Sequence, residues 1–164
     1  IPSVFAQLSV RQNLLVALWA GRMHGADALR SAPLCWHSAL LDELLQHFPE
    51  LQDRRETPAG QLSQGQRQAL ELVMTLLPEP RLLLLDEPCA GLSPAETQHM
   101  IGVIRAAVRR IDAAALLIEH DISAVAAMGG EVFVLHQGKR LAQGSLAQVQ
   151  ADPAVRAVYA GGRK

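Results

Sequence analysis

The sequence predicts an α/β chain whose first half is helical, on three observations. Apolar residues up to about residue 80 recur at helical spacing. After Arg81 the period changes, and "LLLLD" (Leu82 to Asp86) is a continuous apolar run of strand length, the pattern of a strand buried on both faces of a parallel sheet. A second such run, "AALLIE" (Ala114 to Glu119), follows after a helix-length segment, and strand, helix, strand with that spacing implies a right-handed α/β unit.

The elements follow in order. Ser9 is placed to cap a helix over Leu8 to Trp19, with Val10, Leu14, Leu15, Leu18 and Trp19 on its apolar positions. Residues 20 to 36 hold two glycines and a proline and read as a connection, and Ser38 to Phe48 resumes a helical pattern that Pro49 stops. A helix opens near Ser63, with Leu70, Val73, Met74 and Leu77 on one face, and ends at "PEP", Pro78 to Pro80. After the first strand, Ser93 caps a long helix from Pro94 to Arg110, with proline in its first turn. A short helix at Ile122 to Met128, two strands within Glu131 to Gly144 around a Gly138 turn, and helices starting near Ser145 and Pro153 complete the chain. There is no internal repeat.

Composition narrows the class. The 164 residues are 49% hydrophobic and 19% charged, with a net charge of −1, as expected of one globular domain or two small subdomains. Lys and Arg are dispersed, so no basic footprint points to nucleic acid. No apolar run approaches the roughly 20 residues that span a bilayer, and no signal peptide is legible, so a cytoplasmic setting is expected. Cys35 and Cys89 lack metal-ligand spacing and read as reduced, Cys89 as a small buried filler. The chain starts at Ile1 rather than Met, from which a fragment or a processed start is expected.

Three stretches carry chemistry. "LLLLDEP" ends a buried strand in Asp86 and Glu87, at the carboxyl edge where open α/β sheets bind ligands. Asp86 is placed to hold a magnesium ion through water, and Glu87 to polarise a water for attack on phosphorus. The bland alternative is a polar turn leaving a strand. "LLIEHD" ends the second strand in Glu119, His120 and Asp121, putting ionisable groups at the same edge. In "LSQGQ", Leu62 to Gln66, Ser63 caps a helix, Gly65 permits close backbone approach, and the first-turn amides favour an anion such as phosphate. Capping alone accounts for the same residues.

Taken together, "LSQGQ", "LLLLDEP", "AGLSP" and "IEHD", in that order, resemble the nucleotide-binding subunits of ATP-binding-cassette (ABC) transporters. The resemblance implies the carboxyl-terminal half of a P-loop NTPase (RecA-like) core with parallel strands, residues 81–164, preceded by the family's α-helical subdomain, residues 1–80. It implies ATP and Mg2+ as cofactors, with Asp86 near the metal, Glu87 as the catalytic carboxylate and His120 as the switch histidine sensing the γ-phosphate. Ser63, Gln64, Gly65 and Gln66 look like the signature motif, which contacts ATP held by a second ATPase subunit in a head-to-tail dimer. Gln64 stands where the family usually has the first glycine of a pair. Ala90 to Ser93 resemble the D-loop, with Ser93 in place of a frequent aspartate.

No G-x-x-x-x-G-K-[ST] phosphate loop occurs in the chain. In the family it lies upstream, and the Q-loop glutamine would fall just before Ile1; Gln7 comes several residues too late. The implied function is the ATP-hydrolysing subunit of an importer, peripheral on the cytoplasmic face of the membrane beside transmembrane permease subunits, which would meet residues such as Val4, Phe5 and Leu8. The stretches "LSQGQRQALELVMTLL", "LLLLDEPCAGLSPAET" and "GSLAQVQADPAVRAVYAG" resemble ATPases of urea and branched-chain amino-acid importers, and the "GQRQ" and Leu70-Glu71 pattern leans toward the urea branch. Two alternatives are a catalytically inert fragment and a soluble ABC ATPase outside transport. A strand after Arg81 deprived of neighbours is further expected to expose an apolar edge.

Overall fold

The structure is a computed structural model describing residues 4–22 and 38–161. Its residues divide into two compact units, one running to Glu119 and one from His120 onward.

In the first unit, helix α1 (Val10–Arg22) opens with the anticipated cap: Ser9 Oγ accepts from the Gln12 amide at 3.2 Å while Gln12 Oε1 accepts from the Ser9 amide at 2.8 Å. α1 extends beyond Trp19 into the stretch read as a connection, whose remainder, with Cys35, lies outside the described residues. Asn13, fully buried on α1, ties down the segment before it, accepting from the Phe5 amide and donating to the carbonyls of Phe5, Leu8 and Ser9.

Helix α2 (Ala39–His47) is capped by Ser38, whose hydroxyl accepts from the Leu41 amide. Pro49 does not merely stop it. Proline has no amide hydrogen to lose and a φ suited to a first turn, so Pro49 opens a further short helix, α3 (Pro49–Asp53). A 3-10 turn at Ala59–Gln61 then leads into α4 (Gln64–Leu76), which buries Ala69, Leu70, Leu72, Val73, Met74 and Leu76.

Strand β1 (Leu82–Asp86), helix α5 (Pro94–Arg110) and strand β2 (Ala114–Ile118) form the expected crossover, with β1 and β2 parallel and Leu84 opposite Leu116. α2, α4 and α5 pack in this same unit, with the His99 ring edge-on to Phe48 and its Nε2 2.9 Å from the His47 carbonyl oxygen.

One expectation is overturned here. β1 is covered on one face only: Leu83 and Leu85 are buried, whereas Leu82 and Leu84 are 55% and 57% exposed. Leu116 and Ile118 of β2 are 52% and 57% exposed on the same side. A continuous apolar run encodes cover on both faces, but the helices of this unit lie against one. The exposed apolar surface is therefore a sheet face, and in this two-stranded sheet each strand also has one edge without a partner strand among the described residues.

The second unit holds α6 (Ile122–Met128), an antiparallel hairpin of β3 (Val132–His136) and β4 (Lys139–Gly144), and helices α7 (Leu146–Ala151) and α8 (Pro153–Gly161). The hairpin turns through Gln137 and Gly138, both at positive φ, the backbone twist that two-residue hairpin turns require. Among the described residues no helix is long and apolar enough to cross a membrane.

Candidate functional site

The opening of α4 is a capping box. Ser63 Oγ accepts from the Gln66 amide at 3.3 Å, and Gln66 Oε1 accepts from the Ser63 amide at 3.1 Å. Gln66 thus serves the cap with its side chain. The Arg67 amide goes to the Ser63 carbonyl, while the Gln64 and Gly65 amides take no hydrogen-bond partner among the described residues and stand at the positive end of the helix.

Gln64 turns its side chain sideways. Its Nε2 donates to the Ala90 carbonyl at 3.0 Å, and Gln68, one turn further along α4, donates to the same oxygen at 2.8 Å. The Oε1 of Gln68 is buried without a partner. Gly65 has a packing reason beside any ligand: a Cβ there would lie 3.3 Å from Leu92 Cδ2. The start of α4 is thereby seated on residues 90–92. Gly91, at φ +77°, gives this loop a left-handed turn, and a Cβ on it would come within 2.9 Å of Gln64 Nε2.

The loop closes into α5 through a second capping box, between Ser93 and Glu96. Ser93, the residue in the place of a frequent aspartate, is thus a helix cap. Its hydroxyl and its amide hold the Glu96 carboxyl below the usual carboxylate range.

At the end of β1, Asp86 and Glu87 are both exposed. Glu87 has a φ of +46°, a conformation unfavourable for any residue with a Cβ. Its amide donates to the Ile118 carbonyl at 2.9 Å, and its own carbonyl accepts from the Ala90 amide at 3.1 Å. The Cys89 amide donates to Glu119 Oε1 at 3.1 Å. Cys89 itself is buried and forms no disulfide among the described residues.

The structure therefore joins Gln64 and Gly65 to the 90–93 loop and Glu87 to the end of β2, while Ser63 and Gln66 bond to each other in the cap. His120 is exposed at the start of the second unit, and Asp121 caps α6 by accepting from the Ser123 amide. Hydrogen bonds from the Ser123 hydroxyl and amide hold the Asp121 carboxyl below its ordinary value.

No three acidic, histidine or cysteine side chains are grouped to cage a metal among the described residues. A lone exposed carboxylate such as Asp86 suits Mg2+, which keeps most of its waters and takes phosphate oxygens besides one or two protein carboxylates. Sequence reasoning did not single out Gln68 for this site, and it placed Ala90 in the loop and Glu119 at the strand end without the partners they meet. Gln68 follows Gln64 at i+4, so it shares its helix face, and Glu119 continues β2 next to Glu87 in the parallel register; these two spacings were the available signals.

Residues 2–90 match the family model described as ABC transporter. The chain is 31% identical over 159 residues to the high-affinity branched-chain amino acid transport ATP-binding protein BraG of Pseudomonas aeruginosa, covering 97% of this chain and 63% of that protein. It is 32% identical over 160 residues to the lipopolysaccharide export system ATP-binding protein LptB of Acidithiobacillus ferridurans, covering 98% of this chain and 62% of that one. It thus spans less than two thirds of the length of these relatives. Among solved structures, the ADP conformation of MJ1267, an ATP-binding cassette of an ABC transporter, superposes with a TM-score of 0.69 at 23% identity, over 95% of this chain and 64% of that one. That likeness concerns the fold.

Proposed function

This chain belongs to the ABC transporter family, and from that premise we propose that it is part of an ATP-hydrolysing subunit that energises solute transport. Residues 1–80 are read as the family's helical subdomain and residues 81–164 as the carboxyl-terminal part of its catalytic core. The observation that carries the proposal is the coupling of two motif regions through one loop: the cap at Ser63 and the turn at Glu87 are both hydrogen-bonded to residues 89–92 or packed on them.

Glu87 orients and polarises the attacking water, and its strained backbone fixes where the carboxylate stands. Asp86 would hold Mg2+, and the metal would supply charge neutralisation at the phosphates. The Gln64 and Gly65 amides and the Ser63 hydroxyl, with Gln66 bracing the cap, offer donors to the γ-phosphate of ATP bound on a second such subunit. His120 senses that phosphate. The subunit sits against transmembrane permease subunits at the cytoplasmic face.

For the solute, BraG's own name speaks for branched-chain amino acids, and the Gln68 and Leu70-Glu71 pattern for the related urea importers. LptB, comparably similar, serves an export system, so transport direction is part of the proposal. The test is ATP hydrolysis by the complete gene product with its permease. Glu87→Gln is expected to reduce kcat by at least about 100-fold while ATP binding persists, a loss of the size typical for a positioned general base. Wild-type hydrolysis undiminished by the substitution would refute the assignment.

A second reading concerns the 164 residues alone. Because they contain no phosphate-loop motif, they are inert toward ATP by themselves. A titration of ATP and Mg2+ against the chain is expected to show no micromolar binding, and such binding would overturn this reading.

A further inference from the structure

We propose that Glu119 is a positioning residue for Glu87, acting through the backbone of Cys89; the inference rests on Glu87 being the hydrolytic carboxylate. Glu87 occupies a left-handed conformation at φ +46°, which a residue with a Cβ holds only when its surroundings impose it. Between Glu87 and Cys89 stands Pro88, which has no amide hydrogen, so residues 87–89 have two amide donors, one taken by β2 and the other by the residue that follows it. The Glu87 amide goes to the Ile118 carbonyl at 2.9 Å, and the Cys89 amide goes to Glu119 Oε1 at 3.1 Å.

The parallel ladder ends at Asp86 opposite Ile118. Beyond it the chain leaves the strand, where backbone alone no longer reaches, and the longer Glu119 side chain supplies the next acceptor. A carboxylate accepting from an amide forms a stronger bond than a carbonyl does. Two further bonds close the turn on itself, from the Ala90 amide to the Glu87 carbonyl and from the Leu92 amide to the Cys89 carbonyl. Removing the Glu119 acceptor frees the distal end of the turn, and Glu87 relaxes toward negative φ, which swings its carboxylate away from the position it holds in the structure.

The experiment has two arms. In the chain itself, amide hydrogen exchange at Cys89 is expected to speed up about tenfold in Glu119→Ala and to return toward wild type in Glu119→Gln, which keeps an acceptor oxygen. In the complete ATPase, Glu119→Ala is expected to lower kcat about tenfold with KM for ATP unchanged, because Glu119 acts on the turn, and Glu119→Gln is expected to rescue it. Unchanged exchange at Cys89, or an unchanged kcat in an enzyme that hydrolyses ATP, overturns the inference. A wild-type enzyme that does not hydrolyse ATP defeats the proposed function instead, and the exchange arm still decides whether Glu119 locks the turn.

Discussion

The side-chain amide of Gln64 donates to the carbonyl of Ala90 across 3.0 Å, joining the first turn of α4 to the loop that follows β1. In the family's usual pattern this position is a glycine, which has no such reach. Here the substitution converts a flexible opening into a tie.

Gly91→Ala is expected to destabilise the first unit by about 1–2 kcal/mol, since alanine would have to sit at φ +77° with its Cβ 2.9 Å from Gln64 Nε2. Gln64→Ala removes the contact but not the backbone strain. A double-mutant cycle by urea unfolding is therefore expected to show a coupling of roughly 0.5–1 kcal/mol. Strict additivity would mean that the two residues do not meet in solution.

Asn13→Ala is expected to cost about 1–3 kcal/mol, because it orphans the Phe5 amide and takes one donor from the Phe5, Leu8 and Ser9 carbonyls, each of which keeps a backbone amide. Proteolysis within residues 4–9 should accelerate in parallel. Asn13→Asp is expected to be worse than alanine, as it turns a negative oxygen toward carbonyls where Nδ2 donates.

The apolar sheet face predicts self-association of this chain, since Leu84 and Leu116 lie opposite each other with more than half their surfaces exposed. Replacing both by threonine, which keeps strand propensity, is expected to shift sedimentation toward monomer. Each leucine removed forgoes roughly 1.5–3 kcal/mol of burial in the associated state. Unfolding free energy of the monomer should change by no more than about 0.5 kcal/mol.

Glu71 predicts a pH dependence of definite sign. Burial raises its carboxyl above the ordinary 4.5, and Arg67 one turn earlier only partly opposes this. The folded state then binds the proton more tightly than the unfolded chain, so ionised Glu71 is a penalty at neutral pH that disappears as pH falls through the raised value to 4.5. Glu71→Gln is expected to raise the melting temperature at pH 7 and to lose that advantage near pH 4. Asp121 acts in the opposite direction: its lowered carboxyl supports the α6 cap above its ordinary 3.8, and that support is lost as pH falls below it.

Much of the fold was legible because local chemistry decided it. Ser9, Ser63 and Ser93 each cap a helix as their positions indicated, and the β1–α5–β2 crossover follows from period and length. Pro49 marks the end of α2 as expected, but the helix it opens was not legible, because proline both ends one helix and begins another and the outcome depends on what comes next. Within the site, Ser63, Gly65, Asp86 and Glu87 stood out as residue types at element ends. Gln68 did not, and Glu119 stood out only as one of the ionisable groups at a strand end, because a glutamine inside a helix and a glutamate after a strand acquire their roles only from the backbone atoms they meet.

What the sequence by itself determined was therefore the order of the elements, their caps, and the placement of acidic residues at the end of a strand, all of which depend on neighbours a few positions away. The tertiary structure alone decided that the Ala90 carbonyl collects two glutamines from α4, that Glu119 holds the turn carrying Glu87, and that one face of the sheet is uncovered. The physical reason is distance along the chain: these bonds join residues 22 to 30 positions apart, and an apolar run states a demand for burial without naming the surface that meets it.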